Sequence, residues 1–315
     1  MKVLVIGGLG NLGSRITEYL LGKVEKITVS TRKRNLKNYF SNKIVNFIRI
    51  RWNQKFINNL VKDFDAIIFS AGFNAKDSVL KKKEALDFSK YSMNLITKAI
   101  SKYPIKTFIF ISTAHVYDSF LSGKINEDTI TKNNHPYAKS KLISENILLK
   151  SIDTKYTNLK IIRLSNAVGY PLFKDNEVWN LFVNDVIRQS ITKKTVQINS
   201  SLLTQRNFIA ISEVCRFILY ILENQNFLRK RKIINLGSNK SYSLKDMISL
   251  IQKLSINHNI KFAINYKNNI NKNEKFKLDY NSKYITYSNF KVKNRLKYEI
   301  DMMIKITNQW YSNND

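Results

Sequence analysis

Four of the nine glycines in this chain of 315 residues lie within its first thirteen positions, in the run VLVIGGLGNLGSRI. Gly7, Gly10 and Gly13 make a GxxGxxG turn between an apolar, strand-like segment at Lys2–Ile6 and a helical periodicity over Leu12–Leu21. Glycines at that spacing allow a tight turn and close approach of backbone to backbone, so the helix begins with its free N–H groups facing outward. Such a terminus suits a pyrophosphate. The turn, with Asn11 and Leu12 inside it, predicts a dinucleotide-binding site.

Alternation along the rest of the chain supports that placement. Short apolar runs occur at Lys26–Ser30, Val45–Arg49, Ala66–Ser70, Thr107–Ser112, Lys160–Leu164 and Lys232–Leu236, as expected of parallel strands covered on both faces. Helical periodicity fills Lys55–Lys62, Glu84–Ser101 and Pro136–Lys150, and returns at Asp175–Ser190 and Leu244–Leu254. The three prolines, Pro104, Pro136 and Pro171, stand where segments begin or end. The pattern predicts βαβ units in a doubly wound parallel sheet, and the less regular stretch after Leu164 predicts a smaller second lobe over the carboxyl edge of that sheet. Tyr266–Lys277, almost entirely Asn and Lys, offers little to bury and predicts a mobile surface loop.

A chain this long can bury a large core, and 43% hydrophobic residues exclude general disorder. Its single cysteine, Cys215, can close no internal disulfide and build no cysteine zinc site, which fits a cytoplasmic setting without a metal. No apolar run approaches the ~18–20 residues that cross a bilayer, so no membrane span is expected. The formal net charge of +30, from 53 Lys and Arg against 23 Asp and Glu, invites a nucleic-acid or anionic-membrane reading. The basic residues are dispersed, however, and read as solvated faces. Nucleic acid is therefore not the expected partner.

An acid about 20 residues beyond such a glycine turn commonly accepts hydrogen bonds from the NAD ribose hydroxyls. Here the second strand ends in Ser30, Thr31, Arg32, Lys33 and Arg34, with no carboxylate. Hydroxyl and guanidinium groups hold a 2′-phosphate through charge-assisted hydrogen bonds, so Thr31 and Arg32 predict NADP(H) as the preferred cofactor and NAD(H) as the alternative.

A second constellation joins Thr113, in FIFISTAHVYD, to Tyr137 and Lys141, in HPYAKSK. Tyr137 and Lys141 are four apart on a predicted helix and share a face. An ammonium beside a phenol stabilises the phenolate and draws a pKa ordinarily about 10 toward neutrality, where tyrosine serves as a general acid or base. Thr113, 24 positions upstream, lies at the carboxyl end of a predicted strand, where ligands bind in open α/β sheets.

With these residues in place the chain resembles the extended short-chain dehydrogenase/reductases, the NAD(P)-dependent epimerase/dehydratase family that mostly acts on nucleotide sugars. The resemblance is carried, in order, by GGLGNLG, FSAG with Ala71 and Gly72, STAHVY, YAKSK, RLSNAVGYP from Arg163, QRNFIAISEV from Gln205 and INLGSNKSYSLKDM from Ile234. It implies Tyr137 as the catalytic acid or base and a contact of the cofactor, Lys141 as a ligand of the nicotinamide ribose, and Thr113 as the hydroxyl bonded to the reacting sugar oxygen. It implies Asn166 and Arg206 as holders of the substrate diphosphate or nucleotide, and Ala71 and Gly72 as neighbours of the cofactor.

The fold implied is Rossmann-type α/β with a smaller C-terminal substrate-binding lobe. Residues 1–165 would form the NAD(P)-binding domain, with returning segments near 205–237, and 166–315 would be mainly substrate lobe. The implied activity is hydride transfer at a sugar carbon, as a nucleotide-sugar epimerase or 4-ketoreductase, in polysaccharide biosynthesis. A homodimer through the helices at Glu84–Ser101 and Pro136–Lys150 is implied as well.

Departures from the family pattern narrow this. Dehydratase members usually follow the catalytic hydroxyl residue with Asp-Glu, and Ala114 and His115 here argue against 4,6-dehydration; His115 reads as a packing histidine. Phe88 stands where a supporting helix asparagine is expected, and Arg51 where an aspartate near the adenine is expected. The alternative is a non-catalytic NADP- or RNA-binding member of the same fold, against which the intact Thr113, Tyr137 and Lys141 set counts.

Overall fold

Apolar runs of four to seven residues become strands because both of their faces are covered. The computed structural model describes all residues except 34, 37–38, 42–43, 177, 228, 267–276 and 312–315. Arg34 and most of the Asn- and Lys-rich stretch Tyr266–Lys277 therefore lie outside the described residues.

The first half of the chain runs β1 (Lys2–Ile6), α1 (Asn11–Leu20), β2 (Lys26–Ser30), β3 (Asn46–Ile48), α2 (Gln54–Lys62), β4 (Ala66–Phe69), α3 (Ala75–Leu80) and α4 (Lys82–Lys102). It continues through β5 (Thr107–Thr113), β6 (Gly123–Ile125), α5 (Pro136–Ser151), β7 (Asn158–Leu164) and β8 (Asn166–Val168). Then follow α6 (Phe182–Thr192), β9 (Thr195–Ile198), β10 (Gln205–Ala210), α7 (Ile211–Glu223) and β11 (Ile233–Leu236). The last elements are β12 (Ser241–Ser243), α8 (Leu244–Ile256), β13 (Ala263–Tyr266), β14 (Leu278–Tyr280) and α9 (Leu296–Tyr311).

Seven of these strands form one sheet in the order β11-β7-β5-β4-β1-β2-β3, every neighbouring pair parallel. The period of two in β1 sends Val3 and Val5 into a layer with Ile16 and Leu20 of α1 and Ile218 and Ile221 of α7. Leu4 and Ile6 enter the opposite layer with Met93 and Ile96 of α4 and Leu148 of α5. The sheet is thus doubly wound. Strand order reverses at β1, between β2 and β4, which opens a crevice at the carboxyl ends of the strands.

The later elements build a separate core from Val186 and Ile187 of α6, Met247 and Ile248 of α8 and Ile300 and Met303 of α9. A small sheet, β12-β10-β8, lies with them, while β11 returns to the large sheet. No helix among the described residues is long and apolar enough to cross a membrane.

Two helices differ from the sequence reading. The helix expected over Asp175–Ser190 begins only at Phe182, because Phe173 and Asn176 are spent on contacts with the first half of the chain. Helix α7 is not among the expected helices, although its buried Val214, Cys215, Phe217, Ile218, Ile221 and Leu222 keep the helical period.

Candidate active site

The glycine turn closes against the end of β4. Gly7 sits at φ +85°, and a Cβ there would lie 2.8 Å from the Ala71 amide nitrogen. A Cβ on Gly13 would fall 2.2 Å from the Gly7 carbonyl oxygen, so α1 can begin this close to β1 only with glycine at that position. Gly10 caps α1 without a side-chain hydrogen bond and without an acid in the first turn. The leading amides are left for an anion, with the positive end of the helix dipole behind them. Asn11 adds a buried Oδ1 that has no partner among the described residues, while Leu12 turns its side chain into the core. A cradle that a methyl group would fill, together with the unpaired amides at the start of α1, fits the pyrophosphate of a dinucleotide.

The second constellation assembles where β5 meets α5. Thr113 ends β5, and its hydroxyl accepts the His115 amide at 3.2 Å. Pro136 opens α5, and His135 caps it, its Nδ1 accepting the Tyr137 amide at 3.2 Å. One turn on, the buried Lys141 ammonium donates to the Ile111 carbonyl at 3.0 Å and lies 5.9 Å from the centre of the Tyr137 ring. The same ammonium is 3.5 Å from where a Gly72 Cβ would stand. Through Ala71 and Gly72 this cluster therefore adjoins the glycine turn.

Burial pulls Lys141 down to about 8, opposed by the Glu145 carboxylate one helical turn further on. Burial also pushes the half-buried Tyr137 phenol upward, with the Thr113 hydroxyl working the other way. That direction differs from the expectation that the Lys141 ammonium draws the phenol toward neutrality: burial is its largest cause, and the ammonium's hydrogen-bond partner is the Ile111 carbonyl.

Arg206 and Asn166 stand on the small sheet. The Asn166 Nδ2 donates to the Asn207 carbonyl at 3.0 Å, so this amide helps join β8 to β10 and leaves its Oδ1 for a ligand. The Arg206 guanidinium lies 5.6 Å from the centre of the Phe182 ring, and burial lowers its pKa. No carboxylate among the described residues pairs with it. A partly desolvated guanidinium without a carboxylate is costly until an anion meets it.

His115 follows β5 directly and is partly buried. Its carbonyl accepts Asn133 Nδ2 at 2.7 Å, but its ring makes no hydrogen bond among the described residues. Burial, with the nearby charges of Arg206 and His135, holds the ring below the usual imidazole range and hence neutral at pH 7. Phe88 packs edge-on to Trp52 and Phe73, at 5.4 and 6.2 Å between centroids, where the resemblance would place an asparagine. Arg51 is exposed.

At the end of β2, Thr31 accepts the Lys33 amide at 3.0 Å, and Arg32 is exposed with no hydrogen bond or ion pair among the described residues. The Lys33 ammonium is taken by the Asp175 carboxylate and the Tyr39 hydroxyl. The expectation that no carboxylate serves this strand end is corrected: one reaches it across 142 residues of sequence.

Further residues shape the site without having been singled out in the sequence. Glu145 accepts the Ser112 hydroxyl and a buried, forked Arg163, whose Nη2 approaches to 2.7 Å. Its spacing, eight past Tyr137 and four past Lys141, was the available signal, since all three share one helix face. Arg163 is held in turn below Tyr280, whose hydroxyl donates to the Arg163 carbonyl at 2.6 Å.

A seven-stranded parallel sheet with a glycine turn at its switch point defines a Rossmann-type α/β protein. The sequence profile of the NAD dependent epimerase/dehydratase family matches residues 3–237, and the chain belongs to that family. It is 24% identical over 273 residues to the uncharacterized UDP-glucose epimerase YtcB of Bacillus subtilis, covering 81% of this chain and 82% of that one. It is 23% identical over 283 residues to the human dTDP-D-glucose 4,6-dehydratase, covering 85% and 79%. Its fold is similar to that of the UDP-glucuronic acid 4-epimerase from Bacillus cereus in complex with UDP-glucuronic acid and NAD, with a TM-score of 0.81, 21% identity and coverage of 99% and 100%. Dehydratases stand among the relatives, so the comparisons lend no support to the expectation against dehydration.

Proposed function

We propose that this protein is an NAD(P)-dependent enzyme that transfers hydride at a carbon of a nucleotide hexose, as an epimerase or a 4-ketoreductase. The observation that carries the reading is the convergence of Thr113, Tyr137 and Lys141 beside Gly72, with Gly7 packed on the adjoining Ala71. In this reading Gly7, Gly10, Asn11, Leu12 and Gly13 supply the backbone that holds the dinucleotide pyrophosphate. When bound, the nicotinamide supplies hydride exchange with the sugar carbon.

The protein's own residues handle the proton. Tyr137 takes the sugar hydroxyl proton on oxidation and returns it on reduction, Thr113 orients the oxygen through its hydroxyl, and Lys141 supplies positive charge beside the phenol and binds the nicotinamide ribose. Arg206 and Asn166 hold the substrate diphosphate or nucleotide, in keeping with a guanidinium that has no carboxylate partner among the described residues. Residues 1–165, with returning segments near 205–237, serve the cofactor, and 166–315 mainly the sugar nucleotide. Preference for NADP(H) over NAD(H) rests on Thr31 and Arg32, since Lys33 is engaged by Asp175. A homodimer through α4 and α5 completes the reading, and sedimentation of a monomer at micromolar concentration would remove it.

The test is a titration of the purified protein with NAD(H) and NADP(H) and a panel of UDP-, dTDP-, GDP- and CDP-hexoses. Net consumption of reduced cofactor with a 4-keto sugar identifies a reductase, and sugar interconversion without net consumption an epimerase. Failure to bind either dinucleotide would sink the reading.

A further inference from the structure

The stretch between β8 and α6 crosses to the cofactor side of the molecule and is anchored there at three points. Asn176, buried, donates to the carbonyl of Leu9 inside the glycine turn at 2.9 Å. Phe173 stands edge-on to Tyr39 and Phe40, at 4.7 and 5.3 Å between centroids. Between them Asp175 meets both the Lys33 ammonium and the Tyr39 hydroxyl. Lys33 follows the end of β2 by three residues, and β2 is tied to the turn by the Ser30 hydroxyl, which accepts the Gly7 amide at 3.1 Å.

We infer that Asp175 is a specificity-determining residue for the cofactor, acting against the 2′-phosphate that separates NADP(H) from NAD(H). The inference rests on the dinucleotide reading above. In this fold the residues just past β2 meet the adenosine ribose, where an acid favours the free hydroxyls and a cation favours the phosphate. Lys33 is such a cation, and Asp175 neutralises it while setting a negative charge beside the place a phosphate would occupy. Because Asn176 and Phe173 hold the backbone on either side, the carboxylate is fixed there by the C-terminal half of the chain. A carboxylate from a distant segment thus tempers the preference that Thr31 and Arg32 set.

The experiment is direct titration of NADH and NADPH binding by nucleotide fluorescence on the wild-type chain, Asp175→Asn, Lys33→Met and the double variant. Asp175→Asn is expected to raise the NADPH-to-NADH affinity ratio about tenfold, equivalent to about 1.4 kcal/mol, and Lys33→Met is expected to shrink that gain in the double variant. An unmoved ratio in Asp175→Asn, or the same gain with Lys33 removed, overturns the inference. A wild-type chain that binds neither nucleotide overturns the functional reading and this inference with it, whereas binding with an unmoved ratio overturns this inference alone. The pair is partly exposed, with 35% and 53% of its side chains accessible, so these variants are expected to fold.

Discussion

Arg15 in the first helix and Glu299 in the last form a buried, forked ion pair, Nη1 to Oε2 and Nη2 to Oε1 both at 3.1 Å. Glu299 Oε1 also accepts the Ser212 amide at 3.0 Å, and the Arg15 guanidinium stacks on Tyr170 at 3.6 Å. This pair ties the glycine-turn helix to the C-terminal core. Removing Glu299 leaves the buried Arg15 guanidinium with only the more exposed Glu18 carboxylate, 3.3 Å from its Nε, so Glu299→Ala is expected to lower the unfolding free energy by up to about 3–5 kcal/mol. Urea midpoints measure it, and the double variant Arg15→Met, Glu299→Leu should lose less than the single one.

Gly13→Ala tests the turn itself. The added methyl would stand 2.2 Å from the Gly7 oxygen, so β1 and α1 must separate. Overpacking of this kind costs about 1–3 kcal/mol, and the displaced amides no longer converge on one anion. Dinucleotide affinity is expected to fall well over tenfold by direct titration while far-ultraviolet circular dichroism keeps its shape.

Most of the large sheet could be read from the chain because its strands are continuous apolar runs with both faces covered; β1 and β2 begin and end where the runs do. The glycine turn and the Tyr137, Lys141 spacing were legible for the same reason, being local in sequence. What escaped is non-local. Nothing in the sequence around Lys33 announces Asp175, and nothing around Arg15 announces Glu299, because each contact closes only when the C-terminal half folds back. Electrostatic directions escaped too: the Tyr137 phenol follows its burial, which spacing alone does not reveal.

Tyr137→Phe removes the proton-transfer group and keeps the ring. Turnover of the nucleotide sugar is expected to fall about 10²–10⁴-fold, with dinucleotide affinity unchanged. A variant that turns over at the wild-type rate would remove Tyr137 from the chemistry.

Arg206→Met separates substrate binding from cofactor binding. The guanidinium pairs with no carboxylate among the described residues, so its loss should leave the fold intact. Charge-assisted hydrogen bonds to phosphate contribute about 1.5–3 kcal/mol, so KM for the nucleotide sugar is expected to rise about ten- to a hundredfold while NAD(P)H binding stays constant.

The pH dependence of stability should carry the mark of Lys160, which lies fully buried in β7 and donates to the Arg231 carbonyl at 3.1 Å. Burial, with the Arg229 guanidinium adding to it, brings its pKa down to about 7 from the ordinary 10.5. Below pH 7 the ammonium is charged in both folded and unfolded chains, and this group contributes no slope. Between about 7 and 10.5 the unfolded chain holds a proton that the folded chain has released, so stability rises with pH by up to about 1.4 kcal/mol per unit. Urea midpoints at pH 6, 8 and 9.5 measure that rise against the background of a chain carrying +30. In Lys160→Met the rise should shrink by the share owed to this one proton, and an identical slope in variant and wild type would mean that the buried amine keeps its proton throughout.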